Sequence, residues 1–289
     1  MLVRYDKQAK PIRHRSRRYP KIHRDFMDYH VKRLEEYYRN QNARYVSPGY
    51  VVPKDKNPTD ITTDFRFTID SREPNKLAID GQWPMPIIEQ CQEHLAGAKY
   101  FIILDMKDGY WQCPLAEESQ ELYSFATHSG VWTPRRVMMG ASGSVLYFQA
   151  TMQSCFEEVL YKNLIVWVDD LMLYATTVEE LFGTLKKVPE VCRTKGLKLS
   201  VSKCILFSRQ LKWCGKIVSA EGISNDPERI RALQEMTTPV TAADLMYFLN
   251  AANWIRTSIP CYADVFRPLQ DKLKNCMGKT HARRKMPEG

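Results

Sequence analysis

Long apolar runs are missing from this chain. The longest include Tyr100–Leu104 and Leu164–Val168, far short of the ~20 residues a membrane helix needs, so no membrane partner is expected. The opening stretch MLVRYDKQAKPIRHRSRR has no apolar core of the kind a secretory signal carries. Secretion is therefore not expected, and the compartment within the cell stays open. No two of the eight cysteines are spaced as CxxC, which argues against a zinc site. They read as reduced, mostly buried thiols. His14, His23 and His30, with no cysteine pair beside them, read as solvated surface histidines. No internal repeat and no long low-complexity tract occurs.

What is present is an ordinary globular composition. The 289 residues are 44% hydrophobic and 26% charged, which excludes a wholly disordered or fibrous chain. That length has room for one large domain or two or three subdomains. The net charge of +9 is uneven. Residues 1–25 carry +7 and residues 272–289 carry +5, leaving the middle at −3. Basic tails suit a polyanion such as nucleic acid, and a merely solvating end is the rival account.

Hydrophobic spacing predicts a helix over Phe26–Tyr38, a half-buried strand over Phe65–Asp70 and a helix over Ile87–Leu95. A short buried strand, Tyr100–Leu104, ends in Asp105. Ser144–Tyr161 has helical periodicity. So has Val178–Lys195, kinked near Pro189 and stopped by Gly196. Strand-like stretches surround Lys212–Gly215. Helices follow from Pro227, with Asp226 as N-cap, from Thr241 as a second N-cap, and over 261–273.

Asp169-Asp170 separates the apolar segments Leu164–Val168 and Leu171–Ala175. Two-residue hairpin turns favour Asn-Gly or Asp-Gly, so Asp-Asp is poor turn chemistry, and adjacent carboxylates repel. A divalent cation with a preference for hard oxygen ligands would offset that repulsion. A solvated acidic turn is the competing account. Asp105 ends a buried-looking strand, where α/β sheets present ligands. Taken singly it also reads as a strand-end cap. If that strand adjoins the hairpin, three carboxylates converge, enough to hold two metal ions for phosphoryl transfer.

The segments FRFTIDSREPNK, AKYFIILDMKDGYWQ, MMGASGSVLYFQATM, IVWVDDLMLYA, KGLKLSVSKC and LKWCGKIVSAEGISNDP occur in that order. Together they resemble the reverse transcriptases of gypsy-type LTR retrotransposons, from about residue 10 to about 273. The resemblance implies an α+β right-hand polymerase. Its fingers would span 39–93 and 117–137, and its palm, an antiparallel sheet with helices, 94–116 and 138–222. A helical thumb would cover 223–275, between a basic N-terminal arm and helix (1–38) and a basic tail (276–289).

The same resemblance implies RNA-directed DNA synthesis, adding dNTPs to a primer 3′-OH on an RNA or DNA template. Two Mg²⁺ or Mn²⁺ ions would be held by Asp105, Asp169 and Asp170. Arg66 matches the arginine that grips the triphosphate, a role suited to a guanidinium's donor fork. Lys54 or Lys56 would be the accompanying lysine, and Arg72 would support the fingers–palm junction. Tyr110 matches an aromatic that excludes the ribose 2′-OH; packing beside Trp111 is its alternative. Met139, Gly140 and Gln149 fall where the nucleotide-binding floor is built. Lys203 matches a lysine that protonates the leaving pyrophosphate, and surface charge is its alternative. Trp213, Cys214 and Gly215 match the hairpin that grips the primer.

Departures include Trp167 before Val168-Asp169-Asp170, and Met139 and Val145 in place of the usual floor residues. No RNase H continuation is read after the thumb. A catalytically inactive retrotransposon remnant that binds nucleic acid is the alternative function, and a two-metal nuclease a more remote one.

Overall fold

The computed structural model describes every residue except 15–16, 34–36, 55, 80–83 and 278–289. The basic tail beyond Met277 and position 34 of the first expected helix therefore lie outside the described residues. The chain forms two compact units. One comprises Met1–Leu95 with Phe101–Phe207, the other Ala96–Tyr100 with the chain from Ser208 onward.

The first unit carries two larger sheets, besides the two-stranded pairing of Arg4–Tyr5 with Ala78–Ile79. One has five strands, in the order Tyr37–Arg39, Gly130–Pro134, Phe125–Thr127, Ser47–Pro53 and Phe65–Ile69. All pairs are antiparallel except Ser47–Pro53 with Phe125–Thr127. The helix Lys21–Arg33 places Phe26, Met27 and Val31 in one core with Phe65, Phe67 and Phe125. The helix begins earlier than its apolar spacing predicts. Tyr38, expected at its end, lies instead in the strand Tyr37–Arg39.

The second sheet has four strands, in the order Ile205–Ser208, Tyr100–Asp105, Asp170–Ala175 and Leu164–Trp167. Leu164, Ile165, Val166, Leu171, Met172 and Leu173 are all inaccessible to solvent. Burying each such side chain contributes about 1.5–3 kcal/mol, so this hairpin is anchored by its flanks and not by its turn. The helix Val178–Lys195 is one of the elements that sequence spacing located best. Leu181, Thr184, Val188 and Cys192 form its buried face. Thr177 and Glu180 make a reciprocal capping box, and Gly196 ends the helix at φ 70°. The Ser144–Cys155 helix stops six residues short of the periodic pattern.

In the second unit, Gln210–Trp213, Lys216–Ser219 and Gly222–Asn225 form an antiparallel meander. The helices Pro227–Gln234, Ala242–Asn253 and Tyr262–Met277 follow, capped by Asp226 and Thr241 where expected. Leu245, Leu249, Ala252 and Phe266 make a small core there. All eight cysteines are free thiols. Cys91, Cys113 and Cys192 are buried and Cys261 is exposed, so burial is less general than composition predicts. Among the described residues no helix is long and apolar enough to cross a membrane.

Candidate active site

The acidic hairpin turns one residue earlier than its sequence predicts. Asp170 pairs with Trp167, so the two-residue turn is Val168-Asp169 and Asp170 already belongs to the returning strand. Val168 takes φ 52°, a conformation that a β-branched residue adopts only under constraint. Gln149, from the Ser144–Cys155 helix, supplies that constraint. Its side-chain oxygen accepts from the Val168 N–H at 2.7 Å, and its Nε2 donates to the Val166 carbonyl at 2.8 Å. Gln149 is completely buried and both ends of its amide are engaged. The nucleotide-binding role expected for Gln149 is therefore corrected: the residue holds the turn and does not face a substrate.

Strand order brings the carboxylates together. Tyr100–Asp105 lies beside Asp170–Ala175, and the Met106 N–H donates to the Asp169 carbonyl at 2.9 Å. Burial pushes the Asp170 carboxyl up to about 6, with the charges of Asp169 and Asp105 adding to the rise and Lys203 opposing it. Lys203 Nζ lies 3.2 Å from Asp105 Oδ1 and 3.3 Å from Oδ2. That lysine is 65% exposed, so the ion pair is worth at most about 1 kcal/mol and opens readily.

Among the described residues no three His, Cys, Asp or Glu side chains are gathered closely enough to enclose an ion. The donor chemistry nonetheless fits a hard divalent cation: the charges of Asp105 and Asp169 both act on Asp170, and an ammonium group compensates Asp105. Binding would require Lys203 to leave Asp105 and the three carboxylates to close.

A cleft of about 360 Å³ opens beside these groups. Lys54, Arg66, Tyr110, Met139, Asp169 and Lys203 all line it, although they come from distant parts of the first unit. Arg66 stands exposed on Phe65–Ile69, opposite Val52. Lys54, which donates from Nζ to the Thr63 carbonyl at 2.6 Å, is on the wall, and Lys56 is not. Arg72 forms a two-pronged pair with Asp70 at 2.8 and 2.6 Å.

Tyr110 sits in the short turn Gly109–Gln112, its ring 5.2 Å from that of Phe148. Burial raises its phenol above the ordinary range, and Asp169 adds to the rise. A Cβ on Gly109 would come within 2.8 Å of Phe148 Cζ, so only glycine allows the turn to approach this closely. Gly140, at φ 88°, is exposed beside Met139. Asn75 clamps their loop: its Nδ2 donates to the Gly140 carbonyl and its Oδ1 accepts from the Ser142 N–H, each at 2.8 Å.

In the second unit, Cys214 and Gly215, at φ 47° and 74°, form the turn of a hairpin whose preceding residue, Trp213, is buried. Lys212 joins that hairpin to the next helix through the buried Asp226 and, at 2.8 Å, Glu228.

Two contributors escape the sequence reading. His30, expected on the surface, packs against Phe26, Phe67 and Trp111 and bonds to the Tyr37 hydroxyl at 2.9 Å. Its spacing from Phe26 by one helical turn is the signal that could have placed it inward. Gln112, in the motif KDGYWQ, is the other.

Residues 52–218 match the family described as reverse transcriptase (RNA-dependent DNA polymerase). The chain is 31% identical over 280 residues to the retrovirus-related Pol polyprotein from transposon gypsy of Drosophila melanogaster. That alignment covers 94% of this chain and 27% of the relative. The Pol polyprotein from transposon 297 of the same organism is 28% identical, over 82% of this chain and 22% of its own length. The chain thus spans about a quarter of the length of the curated relatives it matches. A solved foamy viral protease–reverse transcriptase in complex with double-stranded DNA superposes with a TM-score of 0.82 at 20% identity. That likeness covers 96% of this chain and 47% of the viral one. The fold is the α+β polymerase fold.

Proposed function

The chain belongs to the reverse transcriptase family, of the gypsy type, and on that premise we propose that its first unit carries out template-directed nucleotidyl transfer. A primer 3′-oxygen would attack the α-phosphorus of a dNTP, forming one phosphodiester bond as the bond to pyrophosphate breaks. The observation that carries this reading is the shared cleft, where Arg66, Tyr110, Met139, Asp169 and Lys203 meet.

Each residue has a role its chemistry suits. Arg66 offers a fixed fork of donors to the triphosphate. Tyr110, backed by Phe148, presents its ring edge to the sugar, and Met139 with Gly140 forms a floor. Asp105, Asp169 and Asp170 would hold two divalent cations, which when bound lower the pKa of the 3′-hydroxyl and offset phosphate charge. Lys203 holds a proton at Nζ beside Asp105 and would give it to the departing pyrophosphate. We assign fingers, palm and thumb as the sequence resemblance implies. Trp213-Cys214-Gly215 would place the primer, and the helices after Pro227 would contact the duplex backbone in a salt-sensitive manner. RNA or DNA template–primer and dNTPs are the corresponding partners.

A second reading, nucleic-acid binding without catalysis, is favoured by the absence of a preassembled cation cage among the described residues. Primer extension on poly(rA)/oligo(dT) with Mg²⁺ or Mn²⁺, beside an Asp169→Asn control, separates the two. Extension that falls at least ~10²-fold in the control supports the transferase. Folded protein that binds the duplex without extending it supports the second reading.

A further inference from the structure

After Gly196 ends its helix, the chain runs as an irregular segment to the short turn Val201–Lys203. The Leu197 N–H donates to the Cys192 carbonyl at 2.7 Å. Beyond it the segment is held along residues 105–107. Met106 and Leu199 form an antiparallel bridge, the Lys107 N–H donates to the Lys198 carbonyl at 2.9 Å, and the Ser200 N–H donates to the Asp105 carbonyl at 2.8 Å.

Gln112 completes this seam with its side chain. Its Oε1 accepts from the Lys198 N–H at 2.6 Å, and its Nε2 donates to the Lys198 carbonyl at 2.9 Å and to the Lys107 carbonyl. Both peptide groups of Lys198 are thus gripped by one amide. Gln112 is fixed in turn, because its own carbonyl accepts from Arg136 Nη1 at 3.2 Å. It also ends the turn that bears Tyr110.

We infer that Gln112 is a positioning residue for Lys203, which it aims at the reacting phosphates by holding residues 196–203 against the Asp105 strand end. This rests on the transferase reading above. The exposed ion pair between Lys203 and Asp105 is too weak to fix the segment, so the main-chain seam carries that task. Gln alone supplies a donor and an acceptor at this reach: Asn is one methylene short, Glu lacks the donor, and Met keeps only the length.

A double-mutant cycle with hydrogen exchange tests the inference. In the full chain, Gln112→Met should lower kcat for single-nucleotide incorporation about tenfold, with KM for the dNTP held within about twofold. The same substitution should cost nothing further in a Lys203→Ala background. Effects that multiply in the double variant would overturn it, since they would show Gln112 acting elsewhere. In the metal-free variant, amides of 196–203 should exchange roughly tenfold faster while those of Leu164–Trp167 stay protected. Gln112→Glu, keeping the acceptor and losing the donor, should fall between. Unaltered exchange beside intact wild-type turnover removes the role of Gln112 alone. A wild-type protein without turnover removes the transferase reading, and the link to catalysis with it.

Discussion

Gln149 and Val168 are joined by a 2.7 Å hydrogen bond from the Val168 N–H to the glutamine oxygen, across the interface between helix and hairpin. This bond holds a valine at φ 52° and so fixes where Asp169 points. Gln149→Leu would leave that N–H and the Val166 carbonyl without their side-chain partner. The expected loss is about 1–3 kcal/mol of stability, read as a lower urea midpoint. A misdirected Asp169 should also lower the primer-extension rate, even below the unfolding range.

Asp170 sets stability against function. Its carboxyl is raised to about 6, so the folded protein binds this proton more tightly than the unfolded chain does. Without metal, the stability contributed by Asp170 is therefore fully present below about pH 4 and is lost as pH rises through about 6. Asp170→Asn should remove that slope and raise the neutral-pH Tm on the order of 2–4 °C, while reducing extension. Added Mg²⁺ should raise the Tm of the wild type and leave the variant less affected. Calorimetry across this pH range, with and without Mg²⁺, is the check.

Tyr110 should govern sugar selection. Tyr110→Val opens the cleft beside Phe148, and the ratio of ribo- to deoxyribonucleotide incorporation should rise roughly 10- to 200-fold. Competition assays with matched rNTP and dNTP would read the ratio directly. No change would return Tyr110 to a packing role.

The Asp70–Arg72 pair gives an opposite pH signature. Hydrogen bonding from Arg72 holds the Asp70 carboxyl at about 2, below its ordinary value, so its contribution is present above about pH 4. It is lost as pH falls toward 2. Urea midpoints for wild type and Asp70→Asn should therefore differ at pH 6 and converge on acidification.

Where local chemistry decided the outcome, the residues were readable. The caps at Asp226, Thr241 and Gly196, and the order of motifs around Asp105 and Asp169, needed no tertiary knowledge. Tertiary contacts overrode the rest. The apolar run LIVWV predicts a strand through Val168, yet the Gln149 amide draws the turn one residue earlier and transfers Asp170 into the strand. Gln149 itself stood in a motif read as substrate-facing, and only burial reveals which way its amide points. Gln112 carries no local signal, since its partner Lys198 lies 86 positions away.

The order of the four-stranded sheet also bears on synthesis of the chain. Tyr100–Asp105 lies between Asp170–Ala175 and Ile205–Ser208, both made much later. Phe101, Ile102 and Leu104 are buried in the finished protein but must wait, uncovered, while a nascent chain of ordinary speed lengthens to reach their neighbours. Loop closure over such distances is slow, and an unpaired apolar strand is a template for association. A nascent chain stalled after residues 100–105 have left the ribosome and before residues 170–175 do would therefore present this strand to whatever chaperone or second nascent chain is near.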